Sequence, residues 1–247
     1  MFLVLFLETG EFRLYTFFVF GGRFCFCPER GTMKLKSLVA LVIVGAVSSA
    51  QAGMILNGDF ENNTAGGSLT NLDNASFTSL MSNTTGFGAG NELDILSFAS
   101  GFGPDPQSGK WKVGMANGQG PDAFTFNLST GITAGQAYRL SFWATRNQQF
   151  SFGDSPLLIG VSGANNAFGT QVFSTGGGVA VNQWQNFSTS FVAPVNGSFL
   201  SVSLADAAGS TTWMHVDNFS MEAVPEPATM VAMAVGAAGI LARRRRK

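Results

Sequence analysis

Gln136-Ala137-Tyr138-Arg139-Leu140-Ser141-Phe142-Trp143-Ala144-Thr145 is the stretch on which the fold turns. In an extended chain, successive side chains leave opposite faces. Tyr138, Leu140, Phe142 and Ala144 therefore share one face, and Arg139, Ser141, Trp143 and Thr145 share the other. The first set is apolar and reads as a core face. The second set is mixed and points away from it.

Outward from this strand, the same pattern recurs. Residues 93–98, 110–115, 123–128, 157–161, 170–174, 183–193, 198–204 and 212–221 read as further strands. Residues 54–61 read as a short strand that ends in a turn. Residues 62–90, thick with Asn, Thr, Ser and Gly, read as a long loop holding one short strand at most. Pro104 and Pro106 exclude ladder pairing from 101–109, and Asn117-Gly118 is a tight-turn signal. No amphipathic helix and no internal repeat is evident in 53–224. About nine or ten strands with this punctuation predict an all-β sandwich.

Both ends differ from this middle. The last residues read Val224-Pro225-Glu226-Pro227, then an apolar run over 228–242 broken by Thr229, then Arg243-Arg244-Arg245-Arg246-Lys247. As a helix the run would span roughly 22 Å, short of a hydrocarbon core of roughly 30 Å, a gap that snorkelling arginines reduce. The terminal cations should stay in the cytoplasm. This tripartite tail resembles the PEP-CTERM sorting signal of Gram-negative exported proteins. The resemblance implies transient residence in the inner membrane through 228–242. Cutting near Pro225-Glu226-Pro227 by an exosortase would follow, then release to the cell surface or extracellular matrix alongside exopolysaccharide. The alternative is a membrane anchor that is never processed.

Near the front, Met33-Lys34-Leu35-Lys36 is a basic segment, 38–47 is an apolar run, and Ala50-Gln51-Ala52 is a small-x-small cleavage site. This predicts a signal-peptide helix over 33–52, handled by the Sec translocon, with the mature chain starting at Gly53. Residues 1–32 show no helical or strand register and read as translated upstream sequence, with Met33 as the true start.

Between the signals, eleven acids face four bases, Lys110, Lys112, Arg139 and Arg146, for a net charge of about −7. With no basic cluster to neutralise phosphates, nucleic acid is excluded as a partner. Cys25 and Cys27 are the two cysteines of the whole chain, so the mature domain relies on packing, hydrogen bonds or a metal. His215 is the single histidine. That argues against Cys-His catalysis, a conventional zinc site and a Ser-His-Asp triad, and His215 reads as structural. Acids for glycoside hydrolysis exist, but nothing in the sequence pairs them. The reading is non-catalytic.

Four stretches in order resemble the galactose-binding-like jelly rolls, which include many carbohydrate-binding modules. They are Leu56-Asn57-Gly58-Asp59-Phe60-Glu61, residues 135–144, Trp184 through Pro194, and Val216-Asp217-Asn218-Phe219-Ser220-Met221. The resemblance implies a jelly-roll sandwich that binds glycan or exopolysaccharide. It places Trp184 in the core. It also implies a structural calcium near the chain ends, with Glu61 and Asp217 as ligands and Asp59 as a third, a choice of oxygens that suits calcium. By strand parity Asp217 should point inward with Phe219 and Met221, where an unpaired charge needs a partner. Capping of backbone amides would serve equally. For glycan, Trp143 and Arg139 on the outward face are the candidates, with Trp111 and Trp213 behind them. The alternative is that these tryptophans only pack. A structural matrix protein with no discrete ligand is the competing reading; a divergent polysaccharide-active enzyme is the third.

Overall fold

The computed structural model describes residues 2–8, 11–20, 23–27, 53–149, 153–206 and 211–225. The signal peptide with Ala50 and Ala52, and the tail from Glu226 through Pro227 to Arg243, Arg244, Arg245 and Arg246, lie outside them. Gly53 and Pro225, at the edges of the described domain, are exposed. Among the described residues no helix is long and apolar enough to cross a membrane.

Residues 1–32, where no register was expected, hold an antiparallel meander of β1 (Phe2–Glu8), β2 (Glu11–Phe20) and β3 (Arg23–Cys27). Their near-continuous apolar and aromatic run hides the alternation that marks a half-buried strand, while its Phe, Val and Tyr content favours β structure. This sheet belongs to one compact unit, and Gln51–Pro225 form another.

The second unit is a sandwich of two antiparallel sheets. Its elements are β4 (Leu69–Leu72), α1 (Asn74–Leu80), β5 (Thr84–Gly86), β6 (Leu93–Ser97), β7 (Trp111–Ala116), β8 (Ala123–Ile132), β9 (Ala137–Arg146), β10 (Leu157–Ser162), β11 (Thr170–Ser174), β12 (Gln185–Val192), β13 (Gly197–Leu204) and β14 (Trp213–Ala223). One sheet runs β11-β10-β13-β8-β5, the other β12-β9-β14-β7-β6-β4. The chain switches sheets repeatedly, as in a jelly roll. Asn117-Gly118 accordingly lies in a crossing between sheets, from β7 to β8, rather than in a hairpin. Asn117 is buried there, donating to Ser155 Oγ at 2.7 Å and accepting from Thr212 N at 2.7 Å.

Strand β9 alternates as its sequence predicts through Trp143: Tyr138, Leu140, Phe142 and Ala144 are buried, Arg139 is exposed, and Ser141 and Trp143 are half-buried, whereas Thr145 of the outward set is fully buried with its hydroxyl on Ala180 O. Between the sheets the core is aromatic. Phe142 stacks on Phe219 at 5.0 Å and on Phe187 at 5.3 Å, and Phe126 lies 5.0 Å from Phe219. Fully buried phenylalanines of this kind contribute on the order of 2–3 kcal/mol each.

The loop expected over 62–90 holds β4, β5 and the helix α1. Asp73 caps α1 by accepting from Ser76 N at 2.7 Å, and Phe77 is its one buried residue. With Asn, Ser and Thr at four of seven positions and a single buried side chain, α1 carries no apolar stripe for the sequence to show.

Residues 54–61 are mostly turn. Ile55 makes one bridge to Leu128, and 56–59 turn immediately. Each residue in the motif has a distinct task. Asn57 accepts from Asn62 N at 3.0 Å and donates to Ser82 O at 2.8 Å. Gly58 lies against β14, where an added Cβ would fall 1.9 Å from Phe219 O. Phe60 adopts a left-handed backbone (φ 57°) that delivers its ring to Phe126 at 5.5 Å. Such a conformation is strained for a non-glycine residue, and core burial compensates.

Candidate functional site

Strand β14 is bulged, and the bulge decides what the outer face of the six-stranded sheet carries. Met214 and Val216 enter the core before it, Phe219 and Met221 after it. The register against β9 slips between Asp217 and Ser220, with Asn218 left-handed (φ 52°). Asp217 thus shares a face with Trp213 and His215, not with Phe219 and Met221. This corrects its expected inward orientation. It is still fully buried, because residues 98–110 fold over this face as a strap.

Asp217 and Glu61 hold that strap. Asp217 Oδ2 accepts from Gln107 N (2.9 Å) and Ser108 N (3.3 Å), and its Oδ1 accepts from Asn218 N (2.7 Å). Glu61 Oε1 accepts from Lys110 N (2.6 Å) and Trp111 N (2.9 Å). Burial pushes the Asp217 carboxyl up to about 7, against the amides that favour its charge, and Glu61 adds repulsion. Asp59 lines the same open depression, of about 810 Å3, as Glu61 and Asn218.

Of the three acids nominated for calcium, Asp59 and Glu61 line one depression, and Glu61 is near enough to Asp217 to repel its charge. Both oxygens of Asp217 and Oε1 of Glu61 accept backbone amides: three N–H groups on Asp217 and two on Glu61. Among the described residues no group of three or more His, Cys, Asp or Glu is arranged to hold a metal. The residues as placed fit loop anchoring rather than a cation.

Lys112, which sequence reasoning passed over, lies fully buried beneath the strap. Its ammonium donates to Phe102 O (2.6 Å), Pro104 O (2.5 Å) and His215 Nδ1 (3.1 Å), which accounts for all three of its protons. Burial lowers it to about 8, opposed by Asp105, Asp217 and Asp94. The available signal was parity: Val113 and Met115 are core, so Lys112 has to face the other way. His215 is neutral, held well below its ordinary range by burial and by the Lys112 charge.

The candidate tryptophans separate into two groups. Trp111 is 5% exposed, packs in the core and carries Lys110 Nζ 4.9 Å over its ring. Trp213 is 7% exposed, donates to Asp94 Oδ2 at 2.7 Å and meets Phe102 edge-on at 5.5 Å. Neither presents a ring face to solvent, which corrects their nomination as ligand residues. Trp143 is half-buried on the outer face, paired across β12 with exposed Asn186.

Trp184, expected in the core, is also half-buried. It sits one residue before β12, where Gln185 pairs with Ala144, so its row is the outer one. Its indole N–H donates to Asp105 O of the strap at 2.8 Å, which fixes the ring. The two tryptophans therefore lie on neighbouring strands of one face. Ser141 lies beside them, and Asn186, Ser188 and Ser190 of β12 are exposed. Arg139 shares the face but is four residues, about 13 Å, from Trp143. It pairs with Glu222 at 3.2 Å, an exposed bridge of little energetic weight.

The other buried acids are committed in the same manner. Asp94 takes Asn71 N at 2.8 Å, and Asp122 takes Ala116 N at 2.7 Å and Glu92 N at 3.0 Å. Burial raises both to about 6.

A comparison with curated protein sequences gives no match. Among solved structures, the sandwich is similar to an α-L-arabinofuranosidase in complex with arabinose (18% identity, 70% of this chain and 26% of that one, TM-score 0.44). It is also similar to the module TmCBM61 in complex with beta-1,4-galactotriose (16%, 70% and 100%, 0.42) and to a family 16 carbohydrate-binding module (13%, 68% and 99%, 0.41). The chain spans about a quarter of the arabinofuranosidase. These likenesses are of fold alone. Residues 223–247 match the PEP-CTERM protein-sorting motif. Residues 51–225 form a nearly all-β, jelly-roll-like sandwich, and the chain carries a PEP-CTERM sorting motif at its C-terminus.

Proposed function

We propose that this is an exported, surface-sorted, non-catalytic protein that binds neutral glycan on the outer face of its six-stranded sheet. The observation that carries the reading is the pair Trp143 and Trp184, half-buried on neighbouring segments of the outer face with Ser141, Asn186 and Ser188. Tryptophan faces stack on the apolar face of a sugar ring, and short hydroxyl and amide side chains bond its edge. The sorting motif supplies the address: the inner membrane through 228–242, an exosortase as processing partner, then the cell surface. Export by the Sec translocon through 33–52 belongs to the same proposal.

The non-catalytic part rests on the acids. Asp94, Asp122, Asp217 and Glu61 all accept backbone N–H groups that fix loops, which supports a structural role for each of them. Calcium at Glu61, Asp217 and Asp59 is not needed in this reading, since five backbone amides already hydrogen-bond the first two.

The test is retention of the protein on immobilised neutral polysaccharide. Trp143→Ala and Trp184→Ala should each weaken retention at least tenfold while the circular dichroism stays native. Unchanged retention in both would overturn the platform and favour a matrix protein whose Ser- and Asn-covered β12 face has no discrete ligand.

A further inference from the structure

Each sheet of the sandwich ends in two edge strands, and the four edges are finished differently. Strand β4 has four residues and a shifted register against β6, β5 has three residues, and β11 has five with an irregularity in its pairing to β10. Short and irregular edges resist further pairing. Strand β12 has neither protection. Its eight residues pair with β9 without a shift, and residues 184–193 contain no charge and no proline. The domain around it is acidic, so this neutral edge lets two copies approach without setting like charges face to face.

The free side of β12 offers a complete half-ladder. On the β12 side of β9, Arg146 donates its N–H to Ala180 O and accepts from Asn182 N. Bonding direction alternates along a strand, so Ala144, Phe142, Leu140 and Tyr138 turn the same way, toward Gln185, Phe187, Thr189 and Phe191. The backbone N–H and C=O groups of Asn186, Ser188, Ser190 and Val192 therefore point away from β9, where among the described residues no strand of the sheet lies. The side chains of this edge are open as well. Phe187 and Phe191 pack on the core but stay half-buried, and Val192 is 63% exposed.

The strand is also self-complementary. Phe187-Ser188-Thr189-Ser190-Phe191 reads the same in both directions about Thr189. A second copy laid antiparallel about that centre places Phe187 opposite Phe191, Ser188 opposite Ser190, and Thr189 opposite its own copy. In that register the outward backbone groups of Ser188 face those of Ser190, and those of Asn186 face those of Val192, so each free group of the edge meets a partner. A two-fold contact uses one patch on both copies and closes on itself.

We propose that β12 is a dimer edge, on which two copies of this chain join antiparallel through residues 186–192, with the two-fold at Thr189, into one continuous sheet. The proposal stands independently of the glycan reading. Directly opposed residues leave the same face of a sheet, so the outer faces of both copies lie on one side.

The experiment is sedimentation equilibrium of the purified full chain in density-matched detergent. A reversible monomer–dimer equilibrium is expected. Ser188→Lys with Ser190→Lys sets lysines directly opposite lysines and should weaken association roughly tenfold or more. Ser188→Lys with Ser190→Glu sets each lysine opposite a glutamate and should restore it. Circular dichroism checks that both variants keep the native sheet. Oxidation reads the register, in a chain whose Cys25 and Cys27 are replaced by serine. Thr189→Cys lies on the axis and should form an intermolecular disulfide. Asn186→Cys is more exposed but six residues along the strand from its copy, about 20 Å, and should not.

A chain that stays monomeric at all concentrations would overturn the proposal. So would a dimer indifferent to the lysine pair, the result expected if micelles or another face join the copies. Weakening by the lysine pair without recovery by the lysine–glutamate pair, or equal cross-linking of the two cysteine variants, would overturn it too.

Discussion

At residue scale, single atoms decide the most. Gly58 is required by the carbonyl of Phe219, since no side chain fits 1.9 Å from a backbone oxygen. Gly58→Ala should cost about 3 kcal/mol or more, because two backbone segments have to part, and denaturant unfolding would measure it. Asp217→Ala leaves three N–H groups without their acceptor and should cost about 3 kcal/mol. Asp217→Asn, which keeps one acceptor oxygen, should cost less. Trp184→Phe keeps a ring but loses the bond to Asp105 O, so a drop of about 1 kcal/mol is expected in the same assay. The sequence marked Asn57, Gly58, Phe60 and Glu61 as a motif but not their tasks. Each task depends on an atom from a distant segment: Ser82, Phe219, Phe126 and Lys110.

At the scale of elements, β9 and β8 were legible because their apolar and polar residues alternate, and β6, β7 and β10 to β13 because short runs of strand-forming residues stand between turn signals. Strand β14 misled at one point. A bulge inserts a residue without changing composition, so parity counted through Asn218 put Asp217 in the wrong layer. Within the strap, residues 101–109 were read as loop, as found, but its docking was invisible. It is held by Glu61, Lys112 and Asp217, acting from three separate elements. Lys112→Met should leave the sandwich folded while Phe102 O, Pro104 O and His215 Nδ1 lose their donor. Proteolysis of the strap at 98–106 should then accelerate severalfold, with β-sheet circular dichroism unchanged.

For the whole molecule, the buried ionisable groups predict an unusual pH profile. Asp94 and Asp122 titrate near 6 and Asp217 near 7 in the folded chain, against about 4 unfolded. Between pH 4 and 7 the folded state therefore binds more protons, and stability falls as pH rises. Lys112 titrates near 8 when folded and near 10.4 unfolded, so above pH 8 the unfolded state binds more protons and stability recovers. The melting temperature should be lowest near pH 7–8 and rise on either side. Asp217→Asn should flatten the acidic limb. A chelator should leave the melting temperature unchanged at pH 7.5, because amides occupy the acids of the chain ends; a clear drop would instead place a cation there.

What the sequence determined by itself was whatever is periodic or contiguous: the strands of the sandwich, the acidic charge of its domain, the scarcity of His and Cys, and the sorting tail at 223–247. What the tertiary structure decided was burial and company. Trp111 and Trp213 were nominated for a ligand and are covered, Trp184 was assigned to the core and lies on the outer face, and Lys112 is buried with its ammonium on His215 Nδ1. Alternation fixes which side of a strand a residue leaves from. Whether that side meets water, a strap or another sheet depends on segments far away in the chain, and no local pattern encodes them.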